Sequence, residues 1–174
     1  IARLESGDAI PPNYAIVAAR VLLAQAALED RETGDRLERF VGRARDMFTQ
    51  RDNGWIDDGM GDWVHFDIYT PDMYLFAQPL RERIGDVWAM GFANVLDDLD
   101  DIAQPGGAVV WGRSIGALGL GITVELAAAV IAHDLGDPQN LHRWLGRAVG
   151  ALDELDGWFP NGVIAAHQGR RTMA

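Results

Sequence analysis

The sequence predicts an all-α protein built from antiparallel helical hairpins. Apolar residues recur at helical intervals in six segments, and the sequence predicts no convincing β-sheet. The connectors between these segments are alternately short and long, and the long ones are rich in Gly and Trp. Because a short connector makes neighbouring helices antiparallel, we expect three hairpins. An ordinary helical bundle with uneven loops is the alternative.

The first three helices are predicted from periodicity and from their starting residues. Pro12 suits the first position of a helix, and the apolar pattern continues to about Leu28. The second helix carries an apolar stripe that begins at Leu37. At the third, Thr70 is the predicted N-cap, with Pro71 and Asp72 in the first turn. The predicted spans are about 12–28, 35–50 and 70–80.

The last three helices follow the same reasoning. The fourth has a broad apolar side that includes Trp88, which we expect in the core. The fifth is nearly all apolar, and Leu135-Gly-Asp-Pro makes the turn into the sixth. The predicted spans are about 82–102, 114–134 and 138–155.

The 174 residues suffice for one hydrophobic core, so we predict a single domain over residues 1–174. The sequence starts at Ile1 without Met and stops directly after a motif-like loop. We therefore expect a fragment, about three hairpins of a longer protein. Since no signal peptide is recognised, the localisation is open.

Composition excludes several classes of function. A net charge of −11 argues against a nucleic-acid partner, which would need a basic stripe. The longest apolar run, Ile115–Ala132, is interrupted by glycines and Glu125, which argues against a membrane partner. The chain has no Cys and no Lys, so thiol and Schiff-base chemistry are excluded within it. We predict no cofactor and no metal, although a calcium site from loop carboxylates is an alternative. The oligomeric state is open.

The stretch 53–73 is the most informative loop. It combines two Trp, a His, a Tyr and five Asp between two amphipathic segments. Saccharides require both kinds of residue, because aromatic faces stack on their C–H groups and carboxylates bind hydroxyls or transfer protons. This composition favours a saccharide as the partner.

Three short motifs carry a family resemblance: G-W-I-D-D-G at 54–59, F-D-I-Y-T-P-D-M-Y at 66–74 and G-G-A-V-V-W-G-R-S at 106–114. Together they resemble bacterial α/α-toroid proteins, which are related to six-hairpin glycosidases and to the toroid domains of polysaccharide lyases. The resemblance covers about residues 50–135. It implies a ring of helical hairpins, an (α/α)6 toroid, of which this chain holds about half. It also implies a saccharide site in the loops at one end.

Asp67 and Asp72 are the predicted catalytic pair, with Tyr69 between them. Glycoside hydrolysis needs one protonated and one ionised carboxyl group across the scissile bond. Aromatic neighbours at a helix start could raise the pKa of one carboxyl. The alternative is that Asp72 only caps the helix and that Asp57 and Asp58 are turn residues.

The predicted substrate-binding residues come from all three long loops. The tryptophans are predicted to stack on sugar rings, with loop-to-core anchoring as the alternative. The polar residues are predicted to bind hydroxyl groups, although His65 could be an ordinary surface histidine. These residues are Trp55, Asp57, Asp58, Trp63, His65, Trp111, Arg113 and Trp158.

Several functions besides glycoside hydrolysis stay open at the level of sequence. A polysaccharide lyase would use Tyr69 or His65 as a base and Arg113 to neutralise a uronate. The G-R-S-I-G motif at 112–116 could place Ser114 as an esterase nucleophile, but the strands of that fold are missing. The chain could also be a non-catalytic helical scaffold.

One further acidic motif, D-D-L-D-D at 97–101, has the spacing by which helical prenyl-diphosphate enzymes hold magnesium. A second such motif and a Lys for the diphosphate are both missing. The motif is therefore predicted to be a solvated helix end, although carboxylates oppose the dipole there.

Overall fold

The computed structural model describes residues 12–29, 33–56, 68–103 and 117–155. Within these ranges the chain is helical and contains no strand, which confirms the all-α prediction. Among the described residues, six helices have nine residues or more, and a 3₁₀ turn at Gln78–Leu80 precedes one further helix, which is short. The helices are α1 Pro12–Glu29, α2 Gly34–Phe48, α3 Tyr69–Ala77, α4 Arg81–Ile84, α5 Asp86–Ile102, α6 Ala117–Asp134 and α7 Pro138–Leu155.

The predicted helix over 82–102 is divided in the structure, because Gly85 separates α4 from α5 with a φ of 87°, a value that favours glycine. The third predicted helix is shorter than expected, since α3 ends at Ala77, where the 3₁₀ turn begins. That turn contains Pro79, which lacks the N–H that a continuing helix requires. Prediction from apolar periodicity missed the break at Gly85 because the apolar pattern continues across it.

The described residues separate into two compact units. The first contains residues 12–29, 33–56 and 73–95, and the second contains 68–72, 96–103 and 117–155. Helices α3 and α5 each contribute residues to both units. A single domain over the whole chain stays a prediction.

In the first unit, α1 and α2 pack against each other as a hairpin. Ala15, Ile16 and Ala19 of α1 are fully buried, as are Leu37 and Ala44 of α2. The α2 stripe is the one that periodicity predicts, and all of its members are buried: Leu37, Phe40, Val41, Ala44, Met47 and Phe48. Burial of such a stripe is the main source of helix stability in a small protein.

In the second unit, α6 and α7 form a hairpin whose turn matches the prediction. Gly136 lies in the turn with a φ of 68°, and the Asp137 N–H donates to the Ala132 carbonyl at 2.9 Å. Asp137 also caps α7, since its Oδ1 accepts from the Asn140 N–H at 3.1 Å. The hydrogen bonds that the backbone N–H and the side-chain amide of Asn140 donate to Asp137 lower the pKa of its carboxyl group.

Candidate functional site

Three of the predicted site residues lie within the described ranges, and they belong to different units. Trp55 is part of the first unit, whereas Tyr69 and Asp72 are part of the second. The remaining predicted site residues lie outside the described ranges; they are Asp57, Asp58, Trp63, His65, Asp67, Trp111, Arg113 and Trp158.

Asp72 lies in the first turn of α3 and is only 6% exposed. Burial raises its pKa from 3.8 to about 6. The positive end of the helix dipole favours an ionised carboxylate at this position, so burial outweighs the dipole. Thr70, the predicted N-cap, lies inside α3 instead and is also buried. Asp72 therefore keeps its proton up to a mildly acidic pH, at which an ordinary aspartate is ionised.

Tyr69 and Trp55 are both partly exposed. Tyr69 opens α3, three residues before Asp72. Trp55 follows Gly54, and its N–H donates to Asn53 Oδ1 at 3.1 Å. The stacking role of Trp55 stays a prediction.

Tyr74 anchors the start of the loop that carries Trp55. Its ring is fully buried, and its hydroxyl donates to the Gly54 carbonyl at 2.7 Å. Trp88 Nε1–H donates to the Tyr74 carbonyl at 2.9 Å, and the rings of Phe48 and Phe92 lie 4.4 and 5.9 Å from the Tyr74 ring. Burial raises the pKa of Tyr74, so its phenol stays protonated and remains a donor. Trp88 is 4% exposed, as its predicted core position requires.

Two glycines make this anchor sterically possible. A Cβ at Gly91 would lie 2.1 Å from the Tyr74 hydroxyl oxygen, and a Cβ at Gly54 would lie 2.7 Å from Gly91 Cα. Both distances are shorter than side chains tolerate. Sequence reasoning missed this role of Tyr74, because Gly54 and Gly91 are far apart along the chain.

Glu125 is a second buried acid, and in the sequence it stands out only as an interruption of an apolar run. It is 0% exposed on α6, and Arg147 of α7 donates from Nε to its Oε1 at 3.1 Å. Burial raises the pKa of Glu125 to about 7, although the charge and hydrogen bond of Arg147 act to lower it. A signal was present in the sequence: residues 125 and 147 lie eleven residues on either side of Gly136. In an antiparallel hairpin, two such residues face each other.

Asp100, within the D-D-L-D-D motif, is paired rather than merely solvated. Arg147 Nη1 and Arg143 Nη2 each form an ion pair with one of its two carboxylate oxygens. The two guanidinium groups also lie 4.8 and 4.9 Å from the Trp144 ring, within the range of a cation–π contact. These arginines compensate a carboxylate that would otherwise oppose the dipole at the end of α5.

The described histidines do not complete an esterase triad. His133 lies beside Asp134 on the surface, with Nδ1 3.5 Å from Oδ1, and His142 Nδ1 lies 2.6 Å from the Pro138 carbonyl oxygen. Ser114 and His167 lie outside the described ranges. The described part of the chain therefore gives the esterase hypothesis no support.

Comparison of the chain with protein-family models, curated proteins and solved structures finds no match. Among the described residues, no group of three or more His, Asp or Glu side chains could hold a metal ion. None of the described helices has the length and apolarity needed to cross a membrane.

Proposed function

We propose that this chain is the half-toroid part of a glycoside hydrolase in which Asp72 is the general acid. The observation that carries the proposal is the burial of Asp72, with its pKa raised to about 6. A general acid must hold a proton near the working pH and release it to the leaving group. An ordinary surface aspartate is ionised there and cannot do so.

A comparison with Asp137 argues against a role for Asp72 in helix capping alone. Asp137 caps α7, and hydrogen bonds from Asn140 lower its pKa, as expected for an acid whose charged form is stabilised. Asp72 also lies at a helix start, but its pKa is raised. Burial of an acid in this way costs stability, and such residues are concentrated at functional sites.

In the proposed reaction, Asp72 gives its proton to the glycosidic oxygen as the bond to the anomeric carbon breaks. Water adds to that carbon and loses a proton to the second carboxylate, for which Asp67 is our candidate. Tyr69, which retains exposed surface three residues before Asp72, would position the sugar. The roles of the other predicted binding residues stay predictions.

The helical architecture supports the toroid part of the proposal. Two closely packed antiparallel hairpins, α1 with α2 and α6 with α7, are units from which a ring of hairpins can be assembled. The proposal places further hairpins of the full-length protein beside them.

Product analysis of full-length protein on neutral and uronate-containing oligosaccharides tests the reaction class. Hydrolysis adds one water per cleaved bond, and we expect products of that mass. Unsaturated products without added water would establish a lyase and overturn the proposal. Absence of cleavage across the panel would also overturn it.

The role of Asp72 is tested with Asp72→Asn and with Asp137→Asn as the matched control. Asn caps a helix as well as Asp does, so the control should retain activity. We expect Asp72→Asn to lose about 10²-fold or more of kcat on natural glycosides. It should lose much less on aryl glycosides whose leaving group needs no proton. Equal losses on both substrates would refute the general-acid role.

A further inference from the structure

Arg147 joins three helices of the second unit. From α7, its Nε donates to Glu125 on α6 at 3.1 Å, and its Nη1 pairs with Asp100 on α5. Its Nη2 also donates to the Leu99 carbonyl at 3.4 Å. The Arg147 side chain is 12% exposed, so most of these bonds are shielded from water. A change in the charge of Glu125 therefore alters its interaction with Arg147 and, through Arg147, affects the contacts between α5 and α7.

Among the described residues, only one oxygen of Glu125 has a hydrogen-bond partner. Oε1 accepts from Arg147, whereas Oε2 is buried and has none. A proton on Oε2 is a donor without an acceptor there, but it removes a buried charge, and an unpaired buried charge costs more than an unpaired neutral hydroxyl. The geometry therefore favours a protonated carboxyl group that accepts from Arg147 at Oε1.

The ion pairs of Arg147 link Glu125 to further charged groups on α5 and α7. Arg147 and Arg143 lie on α7, and Asp100 lies on α5 between their guanidinium groups. With Glu125 ionised, the two acids and two arginines sum to zero charge. With Glu125 protonated, the same four groups carry one positive charge.

We propose that Glu125 is a proton-linked clasp: its protonated form holds the α6–α7 hairpin closed, and loss of the proton favours local opening. The half-satisfied carboxyl and its arginine are the parts of this clasp. Opening lets water reach Oε2, which removes the cost of burying the charge. The clasp is independent of the proposed hydrolysis and would respond to pH whatever the chain's function.

The direction follows from proton linkage. In the closed hairpin the pKa of Glu125 is raised to about 7, and in an open hairpin it returns towards 4.5. Closing therefore takes up a proton. The stability that Glu125 contributes to the closed state is fully present below pH 4.5. It falls as the pH rises towards about 7 and is lost above that pH. Each unit of pKa difference is a tenfold change in the opening equilibrium.

Amide hydrogen exchange between about pH 5 and pH 8, expressed as protection factors, measures this opening. The informative amides lie beside the clasp, at Val124 on α6 and Ala148 on α7, both fully buried. We expect their protection to fall at least about tenfold as pH rises in the wild type. Glu125→Gln keeps the shape and does not titrate, so its protection should fall much less than that of the wild type.

Asp153→Asn is the matched control, because it removes an exposed carboxylate from α7, the helix that carries Arg147. It should show the same pH-dependent fall as the wild type. A level profile in the wild type would overturn the proposal, and so would an equal fall in Glu125→Gln.

A titration of the wild type by carboxyl ¹³C NMR remains decisive if Glu125→Gln does not fold. The proposal requires the Glu125 signal to move with a midpoint in the neutral range. A midpoint near 4.5, the ordinary value for a glutamate, would overturn it.

Discussion

The two units handle a buried polar side chain in opposite ways. In the first, the hydroxyl of Tyr74 is matched to the Gly54 carbonyl, and the Tyr74 carbonyl accepts from Trp88. In the second, one carboxyl oxygen of Glu125 accepts a hydrogen bond from Arg147, and the other has no partner among the described residues. A satisfied network fixes one conformation, whereas a half-satisfied carboxyl stays sensitive to protons.

The buried polar group that fixes a conformation and the buried polar group that responds to pH therefore lie in different units of this chain. Raising the pKa of Tyr74 only keeps a phenol neutral, which it already is at every physiological pH. Raising the pKa of Glu125 to about 7 moves its charge change into the physiological range. Equal burial of the two side chains thus yields a structural anchor in one unit and a titratable group in the other.

Gly91→Ala would disrupt the anchor, and we expect the largest effect from it. The new Cβ would meet the Tyr74 hydroxyl oxygen at 2.1 Å and ring carbons at 2.9 and 3.0 Å. Since both Tyr74 and the α5 backbone are packed, neither can move cheaply, and the free energy of unfolding should fall by at least about 3 kcal/mol. Urea denaturation measures this loss.

Gly42→Ala is the control for helix propensity. A Cβ at Gly42, inside α2 of the same unit, would meet no atom within 4 Å. Alanine should therefore leave stability unchanged or raise it by up to about 1 kcal/mol. If Gly91→Ala behaved like Gly42→Ala, the close approach to Tyr74 would be wrong.

Periodicity predicts the helices well because it depends on neighbours along one segment. The bounds of α1, α2 and α7 fall within about two residues of their predicted positions. The break near Pro79 was predicted a few residues too late, and the break at Gly85 was missed, although both residue types are signals for helix ends. The break at Gly85 was missed because apolar residues on either side of it continue a single stripe.

The candidate site was less accessible to sequence reasoning. The residues around Asp72 mark it as a candidate, but its burial depends on packing that no local pattern specifies. Glu125 also has a raised pKa but carries no such local mark, because its partner Arg147 lies 22 residues away. Tyr74 is hidden for the same reason, since Gly54 is 20 residues distant. Charge and packing partners become visible only once the hairpins are paired.

Asp72→Asn tests whether Glu125 is alone in responding to protons, because it removes the other acid that is buried among the described residues. The raised pKa means that the folded state binds a proton more tightly than the unfolded chain. The stability that Asp72 contributes is fully present below pH 3.8 and is lost as the pH rises through about 6. At about 1.4 kcal/mol per pKa unit, the wild type should lose about 2 kcal/mol that Asp72→Asn retains.

Urea midpoints of both proteins between about pH 4 and pH 7.5 measure that difference. The two proteins differ only at position 72, so subtraction of the two profiles isolates Asp72. We expect Asp72→Asn to match the wild type at the acidic end of this range and to exceed its stability at the neutral end. Parallel profiles would show that Asp72 is ionised at ordinary pH in the folded protein.

Tyr74→Phe tests the anchor by its hydrogen bond alone and should have the smallest effect. Phenylalanine keeps the ring against Phe48 and Phe92 but leaves the buried Gly54 carbonyl without its donor. The expected loss is about 1 to 2 kcal/mol, independent of pH below the phenol's titration. Tyr14→Phe, at a tyrosine that is 55% exposed, should change the urea midpoint little. A pH-dependent loss in Tyr74→Phe would contradict the distinction between the two units, because a satisfied neutral phenol has no proton to exchange in that range.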